Sequence, residues 1–374
     1  MHPIVHPRLR TALTAAFLSG CAVAPVPLEA QVTGEPRDQR VDWLVQALVR
    51  PGDPGLAIIV TRGATIAHQA GYGLADLDRG RRNRPSTMFH MASAGKQFTA
   101  LGIMMLAEAG RLRYDDPIGQ YLPEFARFGN GMTIRTLLHH TSGIPDYYDD
   151  STGLRRLRAI DPTPSNAAAL TLLATWGTAG PAGEKFEYSN TGYDVLGALL
   201  ERVSGQSLDR FLQQRVFEPL GMTETWSMPN ARYGDSARAR GYDRNGRRWD
   251  VDDYDPLDEL VGSGSVYSSV EDLYRYDQAL AGDRLVQQST WAEAYRPTRL
   301  NDGSEIPYGF AWDLGERNGL HWVGHGGSWE GYRSYILRFL GQHLSVYLLT
   351  NRSDLDAEEL TFKVADLYLA PGAP

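Results

Sequence analysis

Cysteine is nearly missing from this chain. Cys21 is the only one in 374 residues, so neither an intrachain disulfide nor a cysteine zinc cluster can form. Positive charge is also short, with 37 basic residues against 45 acidic ones and a net charge of −8. No basic surplus is available to condense on phosphates, which argues against a nucleic-acid partner. Lysine is scarcer still: Lys96, Lys185 and Lys363 are the whole set, so a lysine inside a motif carries weight. No segment beyond the first thirty residues is long and apolar enough to cross a membrane. Internal repeats and low-complexity blocks are missing too. The absence of G-x-S-x-G argues against an α/β-hydrolase, and the absence of H-E-x-x-H against a zinc peptidase. What remains is the composition of a folded globular chain, 42% hydrophobic and 22% charged.

The N-terminus reads as an export signal. Arg8 and Arg10 precede a short apolar run from Thr11 to Leu18, too short to span a bilayer as a helix. The run ends Leu18-Ser19-Gly20-Cys21, which resembles the lipobox of bacterial lipoproteins. That resemblance implies a signal peptide over 1–20, cleavage before Cys21 and a lipid on Cys21. The other reading is an ordinary signal peptide cut nearby, for instance after Ala30. Pro25, Pro27, Gly34 and Pro36 make 21–39 a tether rather than core. The expected location is the bacterial periplasm, lipid-anchored through Cys21, or otherwise outside the cell. Either way, cytosolic nucleotide cofactors are out of reach.

Periodicity organises the rest. Residues 42–49 pattern as a short helix, and Gly55–Thr61 and Ala64–Tyr72 as a hairpin. Lys96–Ala109 sets Phe98, Leu101, Met104 and Met105 on a helical stripe ended by Gly110. Helical patterning then recurs over 134–140, 166–176, 190–203 and 208–216, which predicts a helical lobe over about 110–260. Strand patterning returns over 309–314, 320–324, 332–340 and 344–349, and 356–369 closes as a helix. Two leading strands cannot make a stable sheet alone. They are expected to join the C-terminal strands in one antiparallel sheet with flanking helices, an α/β (α+β) architecture with a cleft beside the lobe.

Three groups of residues carry chemistry. Ser93-Ala94-Gly95-Lys96 opens the best-defined helix, and i,i+3 spacing lets the hydroxyl and the amine meet. Partial desolvation would let Lys96 lose its proton near neutrality and activate Ser93. About 0.2 chance S-x-x-K matches are expected for 21 serines and three lysines, so this motif alone is also compatible with a surface cap and a solvated lysine. Tyr188-Ser189-Asn190 precedes a helix. Beside a lysine cation the Tyr188 phenolate is favoured and can shuttle a proton, while Asn190 can donate to a substrate carbonyl. A packed tyrosine and a capping Asn190 are the plain alternative. His325-Gly326-Gly327-Ser328 lies where a strand is expected to begin. Its glycines admit a ligand close to the backbone, the Ser328 N–H can pair with the Ser93 N–H as an oxyanion hole, and His325 can offer a proton or a cation.

Taken in order, 95 and 137 residues apart, the three groups resemble the serine β-lactamase and penicillin-binding protein family, specifically its class C branch. That branch includes D-alanyl-D-alanine carboxypeptidases, D-aminopeptidases, esterases and class C β-lactamases. Met91–Gln97, Leu137–Pro145, Gly262–Leu273 and Gly324–Tyr335 also look familiar, so the resemblance covers about 40–370. It implies a β-lactamase/transpeptidase-like fold. It also implies Ser93 as acylated nucleophile, Lys96 as its activating partner, Tyr188 as general base and acid, Asn190 as a ligand of the substrate amide, and His325 as the third-motif electrostatic group. Gly326, Gly327 and Ser328 would line the substrate, and no metal or organic cofactor is called for. Ester or D-residue peptide substrates come first, β-lactams second; a non-catalytic penicillin-binding or cell-wall receptor is the contrasting class.

Two departures shape the expectation. β-Lactamases usually carry lysine where this chain has His325, and a free histidine is mostly neutral at pH 7. Dependence on a charged His325 would then show as loss of activity above roughly pH 6.5. Arg333 is the candidate for binding a substrate carboxylate, although Asp313 and Glu330 nearby oppose an anion; its alternative is an exposed strand residue paired with Glu330. His139-His140 read as packing and loop hydrogen bonding rather than a metal pair, and Tyr147, Tyr148 and the acids near them as a solvated loop, the alternative being the rim of the cleft.

Overall fold

Residues 56–60 read Leu-Ala-Ile-Ile-Val, without the alternation of a half-wet strand, because both faces of the sheet they join are covered. The computed structural model describes residues 39–128, 131–148, 151–176, 180–227 and 238–369. The proposed signal segment, nearly all of the tether and Cys21 lie outside them. The strands of the main sheet are β1 (Leu56–Arg62), β2 (Thr65–Tyr72), β3 (Asp313–Arg317), β4 (Leu320–Trp329), β5 (Tyr332–Phe339) and β6 (Leu344–Thr350). Helices used below are α1 (Gln39–Gln46), α2 (Lys96–Glu108), α3 (Ile134–Leu138), α4 (Asn166–Thr175), α5 (Asn190–Ser204), α6 (Val270–Leu280) and α7 (Ala357–Leu369).

The sheet runs β3-β4-β5-β6-β1-β2, antiparallel throughout, so the front hairpin docks on the C-terminal strands through β1 and β6. Leu56, Ile58 and Val60 of β1 face α1 and α7, where Val41, Val45, Leu360 and Val364 are buried. Ala57 and Ile59 face the larger core that holds α2, α5 and α6. Asp277 of α6 pins that side. It accepts hydrogen bonds from Thr61 Oγ1 (3.1 Å), Arg338 Nε (2.8 Å), Ser345 Oγ (2.8 Å) and Tyr347 Oη (2.7 Å). Helix α2 is buried from Lys96 to Leu106 on every side, so the predicted stripe understates it: this is a central helix, not a surface one.

Three expectations about elements need correction. Residues 309–312 are not strand. Ala311 has a left-handed φ of +60°, which breaks extension, and β3 begins only at Asp313. His325 does not open a strand; it is the sixth residue of β4. The stretch read as helical also contains short strands. Trp226–Ser227 and Val266–Ser268 form a small sheet with Phe89–His90, and Tyr242–Asn245 pairs with Arg248–Val251. That hairpin turns at Gly246-Arg247 with Gly246 at φ +59°, a glycine at the first central position of a two-residue turn.

Candidate active site

Ser93 sits in a single 3₁₀ turn, Ala92–Gly95, that leads directly into α2. In a 3₁₀ turn residues i and i+3 eclipse, so Ser93 and Lys96 are aligned more closely than an α-helix would align them. Ala92, just before the serine, has φ +50°, a strained value for a residue with a Cβ. Its neighbours hold it there. Ala92 N–H donates to His90 Nδ1 (3.0 Å), Met91 N–H to Val266 O (2.8 Å), and Ser334 Oγ–H of β5 to Met91 O (2.6 Å). A Cβ on Gly327 would stand 2.2 Å from Met91 O, and one on Gly95 would stand 2.2 Å from Gly264 O. Those two glycines therefore let β4 and the 263–264 loop close on the serine turn.

Lys96 is fully buried, and its Nζ is enclosed by three oxygens: Ser93 Oγ (3.1 Å), Asn190 Oδ1 (2.7 Å) and Ser263 O (2.6 Å). Charged, it donates to all three. Neutral, it gives two protons to Asn190 and Ser263 and turns its lone pair to the Ser93 hydroxyl. Burial draws the amine down to about 7, while Asp194 and Asp146 pull the other way. Burial likewise raises the Asp194 carboxyl, against hydrogen bonds from Tyr147 and Ser263. Sequence reasoning missed both acids. Asp146 accepts from Asn190 N–H (2.7 Å) and Thr191 Oγ1–H (3.0 Å), and so sets the start of α5. Its one available signal was its position immediately after the familiar Ile144-Pro145.

Ser189, not Asn190, caps α5: its hydroxyl accepts from Gly192 N–H (3.1 Å). Asn190 is thereby free to face Lys96, and its Nδ2 is left for a ligand. Tyr188 and Ser93 line the same groove, and the Tyr188 ring centre lies 4.9 Å from Lys96 Nζ. Burial pushes the phenol above its ordinary value, with the neighbouring Ser93 hydroxyl opposing. Tyr188 nevertheless keeps 37% of its surface open along the groove, so this push is the softer of the two shifts. Both shifts favour neutral Lys96, as desolvation of the amine leads one to expect, beside a protonated Tyr188 in place of the phenolate expected next to a lysine cation.

His325 is 4% exposed, and both ring nitrogens are occupied. Nε2 lies 3.1 Å from Tyr308 Oη and Nδ1 lies 2.6 Å from Gly326 O. Burial, then the charge of Lys96, draws it to about 4. The expected cation or proton source is thus a neutral, engaged ring. From His325 to Trp329 the edge of β4 opposite β5 has no strand partner among the described residues, because β3 pairs only as far as Gly324. This leaves the Ser328 backbone beside the serine turn.

A groove of about 750 Å³ is lined by Ser93, Tyr188, Asn190, His325, Gly326, Gly327, Ser328 and Arg333. Lys96 lies behind it. Sequence reasoning therefore selected residues that the fold does bring together. Arg333 sits at the rim, but its Nη1 donates to the carbonyls of Glu330 (2.8 Å) and Tyr332 (2.6 Å), and Asp243, Asp252, Asp354 and Glu330 act on its charge. Asp313, Asp354, Asp356 and Glu358 line the same groove, so its field is acidic despite Arg333. A second cavity of about 50 Å³ adjoins Ser93 and Ser328, walled by Tyr148, Leu257 and Trp329. Tyr147 is fully buried, and Tyr148 walls this cavity; neither belongs to a solvated loop. His139 and His140 diverge, His139 to Thr298 and His140 to Tyr308. Among the described residues no group of three or more His, Cys, Asp or Glu is placed to hold a metal ion, and no helix is long and apolar enough to cross a membrane.

Comparison with known proteins agrees with this fold. The family model Beta-lactamase matches residues 41–369. Penicillin-binding protein 4* of Bacillus subtilis (strain 168) is 33% identical over 331 residues, covering 83% of this chain and 71% of that protein. The putative penicillin-binding protein PbpX of the same organism is 29% identical, covering 75% of this chain and 66% of that protein. Against Protein flp of Staphylococcus aureus the chain spans 63% of the relative's length. Among solved structures, the octameric penicillin-binding protein homologue from Pyrococcus abyssi superposes with a TM-score of 0.77 at 26% identity, covering 88% of this chain and 77% of that one. EstCE1, a hydrolase with promiscuous acyltransferase activity, shares the fold with a TM-score of 0.73 at 21% identity, over 87% of this chain and 97% of that one.

Proposed function

The chain belongs to the beta-lactamase family and is a serine hydrolase of that fold; from that premise we propose that it cleaves an ester or amide through an acyl-enzyme on Ser93. The observation that carries this is the cage around Lys96 Nζ, which leaves one direction, toward Ser93 Oγ, for a lone pair. Neutral Lys96 takes the Ser93 proton as Oγ attacks the carbonyl carbon. The carbonyl oxygen becomes an oxyanion against the Ser93 and Ser328 N–H groups. Tyr188 gives its proton to the leaving oxygen or nitrogen and regains one from Lys96 as the bond to the leaving group breaks. Water then adds to the acyl carbon, loses a proton to the same pair, and releases the acid with Ser93 restored. Asn190 Nδ2 orients the substrate carbonyl, and His325 contributes shape rather than charge.

Esters, and D-residue peptides that carry no free carboxylate beside the cleaved bond, fit the groove better than β-lactams do. Asp354, Asp356 and Glu358 oppose the carboxylate that penicillins carry, with Asp313 adding only part of a charge because burial raises it to about 7, and Arg333 is offset by acids of its own. The cavity of about 50 Å³ suits a small acyl substituent. Nitrocefin, p-nitrophenyl esters of rising chain length and a D-alanyl-D-alanine peptide test this side by side, with Ser93→Ala as control. Turnover of short esters, with an acyl adduct on Ser93 seen by mass spectrometry, is expected. Wild type and Ser93→Ala that are equally inert on all three would instead favour a receptor. We propose further that the protein is exported and anchored by a lipid on Cys21. Cys21→Ala should then release it from the membrane fraction, and its retention there would refute the anchor.

A further inference from the structure

We propose that His140 and Tyr308 are positioning residues of the Ser93 site: they form a one-way hydrogen-bond chain that holds His325 as a neutral Nδ1–H ring and grips Tyr188 from both sides. The proposal rests on the hydrolase reading above for its effect on rate, but not for the direction of the chain.

The direction follows from the two ends independently. At one end Ser189 N–H donates to His140 Nδ1 at 3.0 Å. A ring nitrogen that accepts carries no proton, so the proton of neutral His140 is on Nε2. Nε2 lies 3.1 Å from Tyr308 Oη and donates to it. At the other end His325 Nδ1 lies 2.6 Å from Gly326 O, which only accepts, so the proton of neutral His325 is on Nδ1 and Nε2 must accept. Its partner at 3.1 Å is again Tyr308 Oη. A hydroxyl has one proton to give, and it goes to His325, while its oxygen receives the proton of His140. Both ends demand the same order, and each atom in the chain is then satisfied. Protonating His140 would set Nδ1–H against Ser189 N–H. Protonating His325 would strand the Tyr308 hydroxyl between two N–H groups. His140, Tyr308 and His325 are 2%, 3% and 4% exposed, so water cannot compensate either loss.

The same histidine holds the general acid. Glu187 N–H donates to His140 O at 2.8 Å and Ser189 N–H to its Nδ1, bracketing Tyr188 on either side. The Tyr188 ring lies on the His140 ring at 4.2 Å between centres and 32° between planes. His140 itself has φ +56°, a left-handed conformation uncommon outside glycine. Strain of that kind persists where surrounding bonds over-determine it, and here those bonds run to the loop that presents Tyr188.

The test uses the full chain labelled with ¹⁵N-histidine. Two-bond ¹H–¹⁵N spectra near pH 7 should show, among nine histidines, His140 protonated on Nε2 and His325 on Nδ1. Tyr308→Phe, which removes one oxygen, should move the His325 Nε2 signal and lower kcat on a short ester about tenfold with KM within about threefold, the rate equivalent of one lost hydrogen bond. The wild-type spectrum needs no variant to fold. A His325 ring protonated on Nε2, or a Tyr308→Phe enzyme with unchanged kcat and unchanged His325 signals, overturns the proposal. Failure of every ester and peptide to acylate Ser93 overturns the hydrolase reading instead, while the spectrum still decides the order of the chain.

Discussion

Lowering the pH from 8 to 5 should remove activity through Lys96. Burial sets its amine at about 7, and it works as a base only when neutral. At pH 8 about 90% of the free enzyme then holds neutral Lys96, and at pH 5 about 1%, so kcat/KM should fall about 90-fold, one decade per unit below pH 7. The groups around Nζ set this value. Asp194 and Asp146 raise it, Ser93, Asn190 and Ser263 only hydrogen-bond it, and the rings of Tyr188 and Tyr193 lie over it. His325 stays neutral down to about 4 and adds no limb in this range. The assay is kcat/KM on an uncharged ester at constant ionic strength, with product read after quenching to one fixed pH. Asp194→Asn removes a carboxylate that raises Lys96, so its acid limb should move to lower pH. A rate that climbs on acidification, with loss above roughly pH 6.5, would return the work to a charged His325 and refute the reasoning.

Other variants probe separate parts of the structure. Lys96→Arg keeps the charge but cannot shed it, so acylation of Ser93 should fall at least about 10³-fold, followed by mass spectrometry. Tyr188→Phe should cut kcat about 10²- to 10⁴-fold with little change in KM, because the lost proton transfer belongs to the transition state. Gly327→Ala drives a Cβ to 2.2 Å from the Met91 carbonyl and should cost about 1–3 kcal/mol in urea unfolding as well as most of the activity. Gly326→Ala meets only the Tyr335 ring edge at 3.2 Å and should unfold nearer the wild-type midpoint. Asp277→Ala leaves Arg338 buried without its carboxylate and should destabilise by about 3–5 kcal/mol, seen as a lower urea midpoint.

Much of this protein was legible before any coordinates. Apolar runs and turns located five of the six strands of the main sheet and only the first two residues of β3, because a strand's pattern is local to its own residues. Ser93, Lys96, Tyr188, Asn190 and His325 were legible for a related reason: functional groups at fixed short spacings, in a fixed order, leave a mark on the chain itself. What the sequence left open was the protonation state of those groups. Lys96 is drawn down and Tyr188 up by enclosure, and enclosure is made by elements far apart in the chain. The neutrality of His325 depends on Tyr308, His140 and Ser189, partners that meet across 168 and 49 residues. The sequence reads His140 as packing and loop hydrogen bonding, but nothing in its neighbours forecasts the left-handed backbone that aims it. Spacing along a chain determines which groups can share a site, but charge depends on solvent and on through-space neighbours, and only the folded chain supplies those.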